Sequence, residues 1–521
     1  MKNMLLVAVA AILLGRAVPA IAQEPSKEAA AKPAEAKPAT AESAPPKEES
    51  SVTDHTIRID GQTIPYKATA STILLKDDKD EPTALIYSTA YTRSDVKDMS
   101  QRPIAFIYNG GPGSASIWLQ MGAFGPRRVV TQNAAPTGPG PYQLVDNSGC
   151  LLDKADLVFI DPVGTGFSHV VGKGENKDFW GIDQDVRSLA QFIKIYISRN
   201  NRWNSPKFLI GESYGTFRSA VLGNYLEDHE GVYLNGIVLV SSVLDLSLLD
   251  FTAGNDMPYI FYVPSYAASA WYYKTLKNRP DDLEPLLKDA RHFASTEYAA
   301  ALMKGSNLSD AEKADVAKKL SAFTSLSEDY LIKANLRVTL PQFMAELQRS
   351  SGITVGRYDS RYSGATYDLL TENGEYDPSY SAILGAFTAA FNSYVREELK
   401  FSPDMSYKVL PGEIERQWDW KHNLGRGGEA GIVQPKVEGD LVNAFFDNPS
   451  LQVETENGYF DMATPFFATE YTMDHLGLPA NLRSRIHFQY YQSGHMIYLN
   501  EKELPRLKSN VAAFIDSATK H

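Results

Sequence analysis

Short, largely apolar runs recur through the first half of the chain, at 103–108, 156–160, 208–210 and 236–240. The segments 451–455 and 486–490, which contain polar residues as well, continue the set near the end of the chain. Runs of this length without polar alternation are typical of strands buried on both faces of a parallel sheet. Between several of them the apolar residues recur with a helical period, most clearly over 183–199. The pattern predicts an α/β fold in which a mostly parallel sheet is covered by helices on both faces.

Residues 55–76 show a different pattern, in which apolar and polar positions alternate on either side of Asp60-Gly61. Because that dipeptide favours a tight turn, this segment is predicted to form an antiparallel hairpin. Residues 83–92 alternate in the same way and predict a further strand.

From residue 245 to residue 445 the strand pattern gives way to helical periodicity. Ser309 and Glu312, for example, have the spacing of a capping box that opens a helix. We therefore predict a mainly helical cap at 245–445, inserted into an α/β catalytic domain formed by 52–244 and 446–521. Ligand sites of open α/β sheets lie at the carboxyl ends of the strands, so an insertion leaving from that edge would cover the site.

The first 51 residues differ in composition from the rest. Residues 1–22 combine Lys2, an apolar core and the small-residue sequence Ala-Ile-Ala, which predicts a secretory signal peptide and an exported protein, periplasmic or secreted. Residues 23–51 are mixed Ala, Lys, Glu, Pro and Ser and predict a disordered linker. No other segment is apolar over the length of a bilayer, so no transmembrane segment is expected after signal cleavage.

Charge and composition narrow the choice of partners and cofactors. A net charge of −12 argues against nucleic acid as a partner, because phosphate binding needs basic patches. Cys150 is the one cysteine, so no intramolecular disulfide is possible, and its apolar surroundings favour a small buried residue over a reactive thiol. The sequence has no metal-ligand spacing and no cofactor fingerprint, so neither a metal nor a cofactor is expected.

Residues 211–215, Gly-Glu-Ser-Tyr-Gly, follow one of the apolar runs and precede a helical pattern. Strand, Gly-x-Ser-x-Gly and helix is the arrangement of a nucleophile elbow, which exposes the serine hydroxyl above the sheet. A Cβ at Gly211 or Gly215 would collide with the neighbouring strand or helix. Ser213 is therefore the candidate nucleophile of a hydrolase or an acyltransferase.

A base and an acid should follow the serine along the chain. His495 lies in a Gly-His-Met loop after the last predicted strand and is the candidate base, with His475 and His487 as alternatives. Asp461 follows the strand at 451–455 and is the candidate acid that would fix the imidazole tautomer.

Two other carboxylates compete with Asp461 for that role. Glu456 and Asp474 also lie near the strand, and both are expected to be solvated surface groups. An oxyanion hole would need backbone N–H groups from Tyr214 and from the glycine-rich loop at 108–114.

Four segments together resemble the serine carboxypeptidase family, peptidase family S10. They are 109–116 (NGGPGSAS), 161–168 (DPVGTGFS), 211–215 (GESYG), and the pair Gly-Tyr-Phe-Asp and Gly-His-Met near the end. Their order and spacing, and the long insertion, are similar over roughly residues 85 to 515, and the chain looks like an exported bacterial member. The resemblance implies an α/β-hydrolase fold and a serine-type carboxypeptidase that acts on peptides through an acyl-enzyme.

The same resemblance implies roles for particular residues. It assigns Ser213, Asp461 and His495 to the catalytic triad and the backbone of Gly111 and Tyr214 to the oxyanion hole. It also assigns recognition of the free C-terminal carboxylate of the peptide to Asn109, the backbone of Gly110, and Glu212.

Glu212 must be protonated to fill that role, because an ionised side chain would repel the carboxylate of the substrate. We therefore expect peptide binding to be tightest at acidic pH. The family's glutamate that hydrogen-bonds the Glu212 position is replaced here by Ala123, which weakens the carboxylate-recognition hypothesis and leaves the hydrolytic groups untouched.

Alternatives to the carboxypeptidase are an acyltransferase, an esterase or aminopeptidase on the same fold, and a non-catalytic binding protein. Asn109 with Glu212 distinguishes the first hypothesis from an esterase, which has no use for a carboxylate clamp. Two further segments stand out. Residues 259–273 are rich in aromatics and form either core or a pocket wall, and the charged segment 357–361 has no role that the sequence assigns.

Overall fold

The computed structural model describes residues 46–374, 376–423 and 435–520. The strands in chain order are β1 (Ser50–Ile59), β2 (Gln62–Lys76), β3 (Pro82–Arg93), β4 (Ile104–Tyr108), β5 (Arg127–Val129), β6 (Leu144–Asp146), β7 (Asp156–Ile160), β8 (His169–Val170), β9 (Lys207–Glu212), β10 (Gly236–Val240), β11 (Ile353–Val355), β12 (Ser363–Ala365), β13 (Gln452–Gly458) and β14 (Ile486–Tyr491). The α-helices are α1 (Ile182–Arg199), α2 (Tyr214–Asp228), α3 (Met257–Tyr272), α4 (Leu283–Phe293), α5 (Ala299–Lys304), α6 (Asp310–Thr324), α7 (Glu328–Lys333), α8 (Leu340–Glu346), α9 (Pro378–Ser381), α10 (Leu384–Glu397), α11 (Gly412–Gln417), α12 (Glu438–Asp447), α13 (Phe466–Asp474), α14 (Ala480–Arg483) and α15 (Leu504–Thr519).

Ten of these strands form one sheet in the order β1-β2-β3-β7-β4-β9-β10-β13-β14, with β8 paired to β3. The six strands from β7 to β14 in that order are parallel to one another, and β1, β2 and β3 are antiparallel. The predicted hairpin at 55–76 is confirmed, with Asp60 and Gly61 in the positive-φ turn between β1 and β2.

Helices pack on both faces of the sheet, as predicted. Successive residues of β4 point to opposite sides: Ala105 and Ile107 join one apolar cluster, and Phe106 joins the other. The first cluster includes side chains of α10 and α15, and the second includes side chains of α1, α2 and α12. Strands β4, β7 and β10 are buried along their whole length, which explains why they read as continuous apolar runs.

The segment between β10 and β13 is mainly helical, with one small sheet of β11 and β12. Helices α3 to α8 share an apolar cluster of their own, whereas α10 and α12 join the two clusters that cover the main sheet. The boundaries proposed for a cap at 245–445 therefore stay a prediction. Helix α12, which begins at Glu438, packs with the cluster that covers the main sheet.

The aromatic segment at 259–273 lies in helix α3. Tyr262 and Tyr266 are buried there, and Tyr266 stacks on Phe343 of α8 with ring centroids 3.8 Å apart. These aromatics form the core of the helical cluster, so the segment is core rather than a pocket wall.

The signal peptide proposed at 1–22, and the linker proposed at 23–51 up to residue 45, lie outside the described residues. Strand β1 already begins at Ser50, so ordered structure starts before residue 52. In the part of the chain that the structure describes, no helix combines the length and the apolar character needed to cross a bilayer.

Candidate active site

Ser213 sits at the sharp turn between β9 and α2, at the carboxyl edge of the sheet. Its backbone has φ 60° and ψ −129°, a conformation that costs free energy in a non-glycine residue and persists only when surrounding contacts enforce it. The Ser213 N–H donates to the Val240 carbonyl at 3.0 Å. A Cβ added at Gly211 would overlap the Gly215 carbonyl, and one added at Gly215 would lie 3.0 Å from the Tyr108 carbonyl oxygen. The predicted need for glycine is confirmed at Gly211, and at Gly215 a Cβ would make a tight contact with β4.

Asp461 and His495 form a buried pair on the loops that follow β13 and β14. Asp461 Oδ2 lies 2.8 Å from His495 Nδ1, and the two residues are 1% and 2% exposed. The backbone N–H groups of Ala463 and Thr464 donate to Asp461 Oδ1, and the Thr464 hydroxyl donates to Asp461 Oδ2 at 2.7 Å. Four hydrogen bonds therefore hold this carboxylate in one orientation and leave the other ring nitrogen of His495 for the substrate side.

Ser213 and His495 line the same cavity, of about 150 Å³. The structure records the Asp461–His495 hydrogen bond but none between the Ser213 hydroxyl and His495. Contacts of this kind in free enzymes are often long and tighten when substrate binds. The fold thus brings the three predicted residues to one edge of the sheet, with the acid and the base already joined.

The glycine-rich loop that carries Gly111 packs against the elbow at Tyr214. Tyr214 is the first residue of α2, so its N–H has no intrahelical acceptor. A Cβ on Gly110 would lie 2.5 Å from the Tyr214 nitrogen, which shows how closely the glycine-rich loop approaches the elbow. Gly111 follows in that loop with φ 106°, a value that suits glycine.

Glu212 and Asn109 are hydrogen-bonded to each other beneath this cavity. The Asn109 side-chain amide donates to Glu212 Oε1 at 2.7 Å, and Asn109 Oδ1 accepts the Leu119 N–H at 3.0 Å. Both side chains are almost fully buried, and Glu212 Oε2 has no partner with hydrogen-bond geometry among the described residues. One carboxyl oxygen of Glu212 therefore carries no hydrogen bond within the described residues.

Tyr498 occupies the neighbourhood of the absent family glutamate. A Cβ on Gly122, next to Ala123, would lie 2.5 Å from the Tyr498 ring, so small residues here make room for that ring. The Tyr498 phenol interacts with the Glu212 carboxyl, although its hydroxyl oxygen and Glu212 Oε2 do not meet hydrogen-bond geometry. The sequence analysis did not identify this residue, which lies three positions after His495.

The environment shifts the titration of Glu212 and His495. Burial raises the pKa of Glu212 to about 7, against the opposing effects of His495, Tyr498 and Asn109. Burial lowers the pKa of His495, but the negative charges of Asp461 and Glu212 outweigh burial and raise it above the ordinary value of 6.5. The charge on each group favours the charged form of the other, so their titrations are linked.

The charged segment 357–361 packs between the loops that carry the acid and the base. The Met462 N–H donates to the Arg357 carbonyl at 3.1 Å, and the His495 N–H donates to the Tyr358 carbonyl at 2.6 Å. The Tyr358 ring stacks on the His495 ring with centroids 5.2 Å apart. This segment therefore braces both catalytic loops, a role that its sequence does not indicate.

The competing candidates lie elsewhere. Asp474 is an exposed residue paired with Arg483, as expected. The expectation that Glu456 is a surface carboxylate is wrong: it is fully buried and accepts a hydrogen bond from the Tyr491 hydroxyl at 2.6 Å. Its side chain lies within the sheet, where β13 pairs with β14 on one side and β10 on the other. Cys150 is fully buried, and burial raises the pKa of its thiol to about 12, as suits an unreactive core residue.

The comparisons with known proteins agree with this geometry. The family model described as serine carboxypeptidase matches residues 70–313. Human retinoid-inducible serine carboxypeptidase is 32% identical over 136 residues, which are 26% of this chain and 27% of that protein. The pheromone-processing carboxypeptidase KEX1 of Saccharomyces cerevisiae is 29% identical over 160 residues, which are 29% of this chain and 21% of that protein. The sequence matches thus span about a quarter of the length of these curated relatives.

A solved structure extends the likeness over most of the fold. The crystal structure of KEX1(delta)P, a prohormone-processing carboxypeptidase from Saccharomyces cerevisiae, aligns with a TM-score of 0.53 and 17% identity, covering 86% of this chain and 92% of that chain. The resemblance to the serine carboxypeptidases and the α/β-hydrolase fold are both confirmed.

Proposed function

We propose that this protein is a serine carboxypeptidase, which hydrolyses the last peptide bond of peptides that carry a free C-terminal carboxylate. One observation supports the proposal above the rest: Ser213 and His495 line the same cavity as Asn109 and Glu212. A nucleophile and its base therefore face the same small space as a pair of groups suited to holding a carboxylate.

The proposed chemistry begins with the hydroxyl of Ser213, which attacks the scissile carbonyl while His495 accepts its proton. The N–H groups of Gly111 and Tyr214 stabilise the oxyanion that forms. Asp461 holds the imidazole in the required tautomer and stabilises its positive charge. His495 then gives the proton to the departing amine, and the C–N bond breaks to leave an acyl-Ser213 ester. Water, deprotonated by His495, hydrolyses that ester and restores the hydroxyl.

Asn109, the backbone of Gly110, and Glu212 are the proposed receptors for the terminal carboxylate. To bind the substrate carboxylate, Glu212 must be protonated and donate a hydrogen bond, because two carboxylates in one buried cavity repel each other. With a pKa of about 7, Glu212 is neutral below pH 7 and ionised above it. Substrate binding is therefore strongest on the acidic side of neutrality. Acylation needs His495 unprotonated, and the raised pKa of His495 shifts that requirement to higher pH, so the two requirements oppose each other.

The proposed location is outside the cytosol, and the proposed substrates are peptides. Export rests on residues 1–22, which lie outside the described part of the chain.

A pair of substrates tests the function. The protein is incubated with an N-blocked dipeptide and with the matching C-terminal amide, from pH 5 to pH 9, and release of the C-terminal residue is followed by chromatography. We expect turnover of the free acid and at least tenfold slower turnover of the amide. Equal rates on both substrates, or hydrolysis of simple esters alone, would overturn the carboxypeptidase in favour of an esterase. Acyl transfer would appear as a new ester when an alcohol is added.

A further inference from the structure

Arg357 lines the active-site cavity and forms no ion pair with any described carboxylate. Of the side chains that line the cavity, it is the one lysine or arginine. Its guanidinium contacts the Tyr358 side chain, with Cζ 5.4 Å from the ring centroid. The side chain is exposed, so its charge is accessible from the cavity.

Three carboxylates close to Arg357 in the fold are bound to other groups. Asp461 is held by His495 and Thr464, as described above. Asp377 accepts the backbone N–H groups of Arg357 and Tyr358, at 3.0 and 3.2 Å. Asp359 pairs with Arg361 instead, at 2.5 Å.

The two arginines of the segment 357–361 therefore differ sharply. Arg361 is buried, is neutralised by Asp359, and donates to the Gln492 carbonyl at 3.2 Å. Arg357 lies on the same loop and forms no direct ion pair, although the charges of Asp377 and Asp461 stabilise its guanidinium from a distance. Its backbone is fixed on both sides, by Asp377 and by the Met462 N–H, so the guanidinium starts from a well-defined position.

The charges of the cavity explain why a cation is useful there. Glu212 and Glu415 both line it, and a peptide brings a further carboxylate. Without a compensating cation, moving that carboxylate out of water into this small space would be costly. A guanidinium is always charged and can donate two parallel hydrogen bonds to a carboxylate.

We propose that Arg357 is a substrate-binding residue, which receives the terminal carboxylate of the peptide together with Asn109 and Glu212. This inference rests on the proposed function and extends it, because it assigns the permanent positive charge of the site to the helical insertion rather than to the sheet. Arg357 also explains how the site holds an anion although Ala123 removes one family partner of Glu212.

Arg357→Gln and Arg357→Lys test the proposal, with Arg396→Gln on helix α10 as the matched control. The substrates are an N-blocked dipeptide that ends in leucine and its C-terminal amide. Arg357→Gln is expected to raise KM for the free acid about tenfold to a hundredfold, with kcat changed by less than about threefold, because a hydrogen bond to a charged group is lost. The amide should be unaffected, Arg357→Lys should recover part of the loss, and Arg396→Gln should match the wild type.

Three results would overturn the proposal. Equal losses on acid and amide would show that Arg357 only supports the loops. An unchanged KM for both substrates would show that Arg357 does not contribute to substrate binding. A loss confined to an amide that ends in glutamate would assign Arg357 to a side-chain carboxylate instead.

A binding measurement keeps this proposal separate from the proposed function. Calorimetry with Ser213→Ala compares the affinity for the free acid with that for the amide, and Ser213→Ala/Arg357→Gln repeats it. If the wild type hydrolyses neither substrate, the carboxypeptidase fails. The proposed role of Arg357 is supported if Ser213→Ala binds the free acid more tightly than the amide and Ser213→Ala/Arg357→Gln does not. It is contradicted if Ser213→Ala shows no preference for the acid, or if the double variant keeps the same preference.

Discussion

The two walls of the active-site cavity have different origins. One is built from loops at the carboxyl ends of parallel strands and holds Ser213 and His495, with Asp461 buried against His495. The other comes from the insertion between β10 and β13 and holds Arg357, Tyr358 and Glu415. The first wall has the chemistry of bond cleavage, and the second supplies charge, aromatic packing and the brace behind the two catalytic loops.

This difference separates the proposed catalytic residues, which all lie on the sheet side, from the arginine at the cavity, which comes from the insertion. Parallel strands end at a common edge, so any chain with this sheet must gather those loops. The insertion has no such constraint, because helices α3 to α8 pack through a cluster of their own and Arg357 and Tyr358 lie on a loop outside the helices. Changes to the catalytic residues on the sheet side should therefore remove activity, whereas changes on the insertion side should alter preference or stability.

The largest effect is expected for Ser213→Ala, which removes the nucleophile. We expect kcat to fall by about 10³- to 10⁶-fold on every substrate, because no other group can form the acyl-enzyme. The measurement is the steady-state rate on an N-blocked dipeptide, with the exposed Ser509→Ala as the control. Retention of a tenth of the wild-type rate would show that another residue is the nucleophile.

Asp461→Asn should cost about 10³- to 10⁴-fold in kcat, because the imidazole would then adopt the wrong tautomer. Asp474→Asn is the matched control, since that exposed carboxylate follows the same strand and pairs with Arg483. We expect the control to stay within twofold of the wild type. A larger loss for Asp474→Asn than for Asp461→Asn would reverse the assignment of the acid.

Glu212→Gln tests the carboxylate clamp through pH. The pKa of Glu212 is raised to about 7, so the wild-type KM for a free acid should rise about tenfold per pH unit above 7 as the side chain ionises. The variant is neutral at every pH and should show a flat KM between pH 6 and pH 8.5. Glu227→Gln is the control, because burial also raises the pKa of that carboxyl to about 7, away from the cavity. A variant that loses binding at acidic pH and gains none at alkaline pH would count against the clamp.

The smallest effect on rate is expected at the far end of the insertion, where His422 joins it to the sheet side. His422 Nδ1 lies 2.6 Å from Asp183 of α1, and Nε2 lies 2.9 Å from Asp440 of α12. Burial lowers the pKa of His422, but the two carboxylates outweigh burial and raise it from 6.5 to about 9. The stabilisation is therefore complete below pH 6.5 and is lost as the pH rises through 9.

His422→Gln should lower the free energy of unfolding by about 2 kcal/mol at pH 6, and by less at pH 10, with kcat unchanged. Thermal unfolding at both pH values measures the difference, and the exposed His292→Gln is the control. An equal loss at pH 6 and pH 10 would mean that packing, rather than charge, joins the insertion to the sheet.

The sheet and the residues around its catalytic edge could be predicted from the sequence with few errors. Residues 156–160 and 236–240 carry the pattern of buried strands, and the structure has strands at both ranges. Glu456 was misread because a carboxylate next to a loop suggests solvent, whereas its place in the middle of β13 buries it beside Tyr491. Local sequence does not reveal which neighbouring strand will cover a polar side chain.

Tyr498 and Arg357 could not be found in the same way, for a related reason. Tyr498 lies in the loop that carries His495, and nothing in the local sequence marks it as functional. It interacts with Glu212, which is 286 positions earlier in the chain. Arg357 stood out as charged, but nothing local distinguishes it from Arg361, which Asp359 neutralises.

The sequence alone determined the fold class, the family resemblance and the candidate nucleophile, acid and base. These follow from patterns that local chemistry imposes: apolar runs that bury themselves as strands, and a Gly-x-Ser-x-Gly turn that admits no side chain at its ends. Only the tertiary structure decided which charges remain free at the cavity and which aromatic rings support the catalytic loops. Those properties depend on contacts between distant segments, and the burial and pairing of a side chain are set by whatever the fold packs against it.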